Sequence, residues 1–228
     1  MSTNETWFAV HLGRSAAAPH AGWLHMKRTR DTNSRRVIEQ QVSIHGRLDG
    51  RAVRTDANCR VALTRRQGRL VPLEAQISDG ERASHLRIEG GRLHASGAAA
   101  SQQGDAAPDD AMPTYAVFAL AQGIYNQPES SLRFTPLNEV TGQFGTPGAK
   151  LVCTGTARKT PFPSPVPLWE VIWFSPEGTR VQAFYFDDKG EMVQADWGGS
   201  RARMVDSEVE ATPPPKPSRS GRTRKIAP

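Results

Sequence analysis

Six histidines and two cysteines are the side chains of this 228-residue sequence best suited to nucleophilic, acid–base or metal chemistry. His11, His20, His25, His45, His85 and His94 are scattered, with no HExxH and no pair at a fixed helical spacing. Cys59 and Cys153 lie far apart and are too few for a zinc site or a disulfide scaffold. They read as two independent buried thiols, each a small hydrophobe, with one long-range disulfide as the alternative in an exported chain. A Cys–His nucleophile would need His25 or His85 carried across a sheet to Cys59 or Cys153, and nothing in the spacing requires it. Asp187, Asp188, Glu191 and Asp196 offer hard oxygen ligands but lack the regular alternation of a calcium loop, so they read as a hairpin turn with solvated carboxylates. The glycines of Gly142 to Gly148 are followed by no Lys-Ser/Thr, and no Gly-x-Ser-x-Gly elbow occurs. The sequence nominates no catalytic residue, no metal ligand and no cofactor.

What remains for function is apolar. In the run from Leu168 to Phe186, Trp169, Val171 and Trp173 share one face of a strand, with Leu168, Ile172 and Phe174 on the other. The next strand sets Ala183 and Tyr185 on one side and Phe184 and Phe186 on the other. Antiparallel hairpins usually have one wet and one dry face, yet here both are greasy. One face would be closed by a helix. The other must meet a second layer or line a cavity for an apolar molecule. Trp169, Val171, Trp173, Phe184, Tyr185 and Phe186 are therefore the candidate ligand-binding residues.

The elements that must position them show period two. Trp7 to Leu12 and Gly22 to Arg28 read as strands. Ile38, Gln40, Val42 and Ile44 alternate with polar neighbours, and the strands of 53–63, 70–77 and the Leu86/Ile88 run are punctuated by Asp49-Gly50, Gly68, Asp79-Gly80 and Gly90-Gly91. Turn signals every 8 to 12 residues or so are those of an antiparallel meander. Residues 97–113 are small and polar, a mobile loop at the midpoint. Thr114 is a plausible N-cap, and Tyr115, Phe118, Ala119 and Gln122 predict one helix over 114–125. Strands resume at 133–137, 151–155, 168–174, 179–186, 191–197 and 202–209, with the alternating prolines Pro161 to Pro167 as a rigid lead-in. The expected fold class is mainly β (α+β): a curved antiparallel sheet or open half-barrel with one packed helix, in a single domain over 1–211.

The formal charge of +6 belongs largely to the end of the chain. Residues 212–228 hold Lys216, Arg219, Arg222, Arg224 and Lys225 with no acid, leaving the preceding residues at +1. Within those, 27–69 carry twelve Lys/Arg against four Asp/Glu, and 70–211 carry eleven against eighteen. A near-neutral body with basic and acidic portions is not expected to bind nucleic acid. The Pro-rich basic tail has little to bury and is expected to be disordered, free to contact anionic surfaces. The first 26 residues lack a basic stretch followed by a long apolar run, so no signal peptide is expected and the cytoplasm is the default compartment.

The order of these features carries a resemblance. An opening strand of the type Trp7-x-x-Val10-x-Leu12-Gly13 precedes Gly22-Trp23-x-His25, then a long meander, a mid-chain helix, and the closing hairpin Phe184-Tyr185-Phe186-Asp187-Asp188-Lys189-Gly190-Glu191-Met192-Val193. Over about residues 5–210 this resembles the open, curved sheets of the bacterial lipoprotein-carrier superfamily and related uncharacterised extracytoplasmic domains, some found beside transglutaminase-like domains. The resemblance implies a non-catalytic scaffold that holds a lipid-like chain, in an extracytoplasmic place. Its alternative is a structural or interaction protein with a fully packed sheet and the tail as contact surface. A hydrolase or transferase ranks third.

Overall fold

The computed structural model describes residues 2–13, 17–30, 35–197 and 199–213, with the side chains of residues 2, 3 and 30 excepted. The basic tail expected from residue 212 lies, from 214 onward, outside the described residues. The period-two rows fold as a seven-stranded meander and a six-stranded meander with one further edge strand paired parallel to it, and the two meet in one 14-stranded sheet. The first comprises β1 (Ser2–Leu12), β2 (His20–Arg30), β3 (Arg35–Leu48), β4 (Arg51–Arg66), β5 (Arg69–Asp79), β6 (Arg82–Glu89) and β7 (Arg92–Gly97). The second comprises β8 (Ala111–Pro113), β9 (Ser131–Leu137), β10 (Ala149–Thr156), β11 (Trp169–Phe174), β12 (Arg180–Phe186), β13 (Met192–Trp197) and β14 (Ser200–Val205). At the β3–β4 and β4–β5 turns both loop residues have positive φ (Asp49 49°, Gly50 79°; Gln67 49°, Gly68 80°). That conformation matches the right-handed twist of the flanking strands and fixes their register.

The meanders join at their outer ends in sequence. β1 pairs antiparallel with β14, from Trp7 opposite Val205 to Leu12 opposite Ser200. The edges of the sheet are therefore β7 and β8, which are consecutive in the chain. The loop between them crosses from one edge to the other and hydrogen-bonds along β7 on the way. The Leu93 N–H donates to the Asp105 carbonyl (2.8 Å), and the Gly104 and Ala107 N–H groups donate to Leu93 (2.8 Å) and Gly91 (2.9 Å). This covers one exposed edge, which would otherwise template further pairing. The segment expected to be a mobile loop at 97–113 thus contains a 3₁₀ turn at Ala100–Gln102, this edge pairing and β8 itself.

The fold is the expected one: a mostly β chain in one large, curved, unclosed sheet with a short helix against it. The inward rows of both meanders and that helix form one continuous core, from Phe8 and Val10 to Phe184 and Phe186. The helix is shorter than the sequence predicts. Thr114–Ala116 is 3₁₀ and α1 spans only Val117–Ala121. Thr114 is not the helical N-cap, because its hydroxyl donates to the Glu139 carboxylate (2.7 Å). After Ala121 the backbone tightens into i→i+3 bonds, Gly123 to Leu120 and Ile124 to Ala121, where glycine gives the helix no entropic support. The last strand is also shorter than predicted. β14 stops at Val205, and Ser207 caps a single turn, α2 (Glu208–Ala211), by accepting from the Glu210 N–H.

Candidate functional site

The two apolar faces of the β11–β12 hairpin go to two different clusters. Register places Trp169 opposite Phe186, Val171 opposite Phe184 and Trp173 opposite Gln182 on the inner face of the sheet. There Val171, Trp173, Phe184 and Phe186 join the main core with Trp169 packed against it. The Trp173 ring lies 5.3 Å from Phe134, and Phe186 lies 5.6 Å from Tyr125. Glu170 opposite Tyr185 and Ile172 opposite Ala183 fall on the outer face. Leu168, Ile172, Ala183 and Tyr185 form a small second cluster there, with Ala157, Phe174 and Val193 at its border.

What covers that outer cluster is the proline segment itself. The Ala157 N–H donates to the Leu168 carbonyl (2.7 Å), closing the base of a strap. Gln194 clamps its middle, accepting from the Phe162 N–H (3.0 Å) and donating to the Phe162 carbonyl (3.1 Å). The Arg201 guanidinium donates to the carbonyls of Gly13 (2.9 Å) and Pro161 (2.8 Å) and lies 5.0 Å over the Phe162 ring, which also meets His11 edge-on at 5.1 Å. Tyr185 is thus part of an outer polar network: its hydroxyl donates to Glu170 (3.1 Å) and accepts from Arg180 (3.0 Å). Burial, with the Glu170 charge beside it, pushes its phenol up to about 12. Phe162→Ala is expected to cost about 2 kcal/mol, roughly half the loss of a fully buried Phe. It should also loosen the strap that carries the exposed Arg158 and Lys159; trypsin cleavage after them, followed by mass spectrometry, should quicken several-fold.

On the inner face a cavity of about 320 Å³ lies between the two meanders. Leu24 and Met26 of β2, Val42 and Ile44 of β3 and Val53 of β4 form one wall; Trp173, Phe184, Ala195 and Trp197 form the other, and Phe118 of α1 closes between them. Of the six residues nominated from sequence, Trp173 and Phe184 line it. Trp169, Val171 and Phe186 are packed in the core beside it, and Tyr185 stands on the opposite face. The contribution of the first meander has a weaker sequence signal: each wall residue sits on the inward row of an alternating strand.

The titratable groups around the core are set by burial and by local partners. Glu139 is 2% exposed and accepts from the Thr114 hydroxyl and the Tyr115 N–H, both at 2.7 Å. Burial outweighs those bonds and pushes its carboxyl up to about 7. Burial first, and the Glu139 charge second, push the Cys59 thiol up, so it is no activated nucleophile. His25 stacks on Trp7 (4.1 Å) and His85 bonds Glu74 (2.8 Å), both on the outer face and away from Cys59 on the inner row. Cys153 donates to the Tyr125 carbonyl (3.0 Å), and both thiols are free. Asp187 accepts from the Lys189 and Glu191 N–H groups, making the hairpin turn expected of it, while Glu191 pairs with Arg28. Among the described residues no group of three His, Cys, Asp or Glu side chains is placed to hold a metal ion.

No protein-family model matches the chain. No curated protein matches it in sequence. Among solved structures, it is similar to the crystal structure of a β-barrel-like protein of the domain of unknown function DUF1849 from Brucella abortus, with a TM-score of 0.51 and 10% sequence identity over 89% of this chain and 95% of that one. At that identity the likeness speaks for the fold alone: the curved 14-stranded sheet is a β-barrel-like architecture.

Proposed function

We propose that this chain is a non-catalytic binding scaffold whose curved sheet holds a lipid-like or other apolar molecule, as the resemblance to lipoprotein carriers implies. The observation that carries this reading is the 320 Å³ cavity walled by apolar side chains of both meanders. Ligand pockets run from about 300 to 1,000 Å³, so the space suits one short chain rather than a multi-chain lipid. A guest that fills such a space restores contacts that the apolar lining side chains lack. Of the polar side chains at the wall (Gln40, Thr55, Thr114, Gln182 and Ser200), Gln40 already donates to the Tyr115 carbonyl (2.6 Å) and Thr114 to Glu139 (2.7 Å).

Native mass spectrometry of the purified protein, set against its denatured mass, tests the reading. An adduct of a few hundred daltons that is lost on denaturation is expected, and its mass names the ligand class. A clean apo mass from a lipid-containing host, together with failure to take up an added apolar probe, would leave the alternative: a packed sheet whose partners bind elsewhere on the chain.

A further inference from the structure

The cavity has two unlike ends. Toward α1 its lining is buried (Met26, Phe118, Phe184), and on the same stretch of chain the Gln122 side chain donates to the Gly190 carbonyl (2.7 Å). Toward the β3–β4 hairpin the lining residues Val42, Val53, Gln182 and Trp197 are partly exposed, which makes that end the mouth. The inward row of β4 runs from Cys59 through Ala57, Thr55 and Val53 to Arg51, because side chains two apart share a face. Leu48 pairs with Arg51 across the hairpin and so shares that face. Leu48 reaches over the mouth to the β13–β14 turn, where a Cβ on Gly199 would come within 3.1 Å of it. The hairpin tip is tied down, since Arg47 donates twice to the Gly50 carbonyl (3.2 and 3.1 Å). Arg54, one face over, is committed to Asp56 (3.1 Å). Arg51 is exposed and has no carboxylate partner among the described residues.

From this arrangement, and resting on the proposed function, we infer that the ligand is a single-chain amphiphile with an anionic head: the chain lies in the cavity and a carboxylate or phosphate head meets Arg51 at the mouth. An anionic head cannot follow the chain inside without losing its hydration, so it must stay at an end that water reaches. A guanidinium there offers the fork that carboxylate and phosphate oxygens accept from bidentately. The test is displacement of a neutral fluorescent apolar probe by dodecanoate and by dodecanol, in the full chain and at mildly alkaline pH. Dodecanoate is expected to bind about tenfold tighter, the scale of one charge-assisted hydrogen-bonded contact at a partly wet site. Arg51→Ala should abolish that advantage while leaving dodecanol binding unchanged, and Arg51→Lys should keep part of it. Equal affinity of the two compounds, or an advantage that survives Arg51→Ala, overturns the head-group assignment alone. Binding of neither compound overturns the cavity reading itself, and this inference with it.

Discussion

Phe186→Ala is expected to destabilise the fold by about 3–5 kcal/mol, the range for removing a fully buried Phe ring. Phe186 is 0% exposed, sits on the inward row of β12 and packs against Tyr125 below α1. Its register neighbours are Trp169 on β11 and Met192 on β13, so the residue is flanked by two strands and faces the segment after the helix. Neighbours held in so many ladders cannot collapse into the space, which puts the loss at the upper part of that range. A fold of this size is stable by about 5–15 kcal/mol in all, and each kcal/mol moves the midpoint by about 2–4 °C. The thermal midpoint should therefore fall by about 10 °C or more, read by circular dichroism. Phe186→Leu, which keeps most of the volume, should lose less than half as much. A fall of only a degree or two for Phe186→Ala would mean that the inner face of this hairpin is not the packed core described above.

Phe186 also marks the boundary of what the sequence makes legible. The alternation of Phe184, Tyr185 and Phe186 declares a strand with two dry faces, and the two clusters bear out that each face is covered. Local periodicity does not say by what. The outer cover is the Pro161 to Pro167 segment, held by Gln194 and Arg201 from strands remote in sequence, and such side chain to backbone contacts leave no periodic trace. The strands of the first meander are legible because adjacent strands are joined by turns with recognisable residues, Asp49-Gly50 among them. The seam between β1 and β14 is not, because pairing between the two ends of a chain is set by the closure of the whole sheet and not by any local signal. The helix is shorter than its periodicity suggests for a related reason. Tyr115, Phe118 and Gln122 do share a face, but Thr114 serves Glu139 from across the fold in place of capping its own helix. The cavity followed the same pattern: its Trp173 and Phe184 wall stood out by aromatic content, whereas Val42, Ile44 and Val53 looked like any inward strand row until the sheet curved them opposite.

Glu139 gives the fold a pH dependence of the sign opposite to the usual carboxylate. A typical paired acid stabilises the folded state when ionised. Here the carboxyl is buried with no cation beside it, and its pKa stands at about 7 against an ordinary 4.5. Between those two values the folded chain binds more protons than the unfolded one, so stability is greatest below about 4.5 and is lost as pH rises through about 7. At 1.36 kcal/mol per unit, the shift is worth on the order of 3 kcal/mol between about pH 4.5 and 7.5. Two other groups are separable from it. Asp56, held down to about 2 by His45, Ser43 and Arg54 at the surface, titrates below that window. Burial, first among its causes, lowers the His11 pKa below its ordinary value, so its contribution to stability grows as pH rises toward that value and opposes that of Glu139. The difference between the wild-type chain and Glu139→Gln isolates the carboxyl. The amide reproduces the neutral acid, with its oxygen accepting from the Tyr115 N–H and its NH₂ donating to a Thr114 hydroxyl turned to receive it. Urea unfolding at about pH 5 and about pH 8 should show the variant close to wild type at the lower pH and more stable than it by about 2–3 kcal/mol at the higher. A variant that is no more stable than wild type at the higher pH would mean that the Thr114 and Tyr115 bonds hold an ionised carboxylate there, with its charge balanced inside the sheet after all.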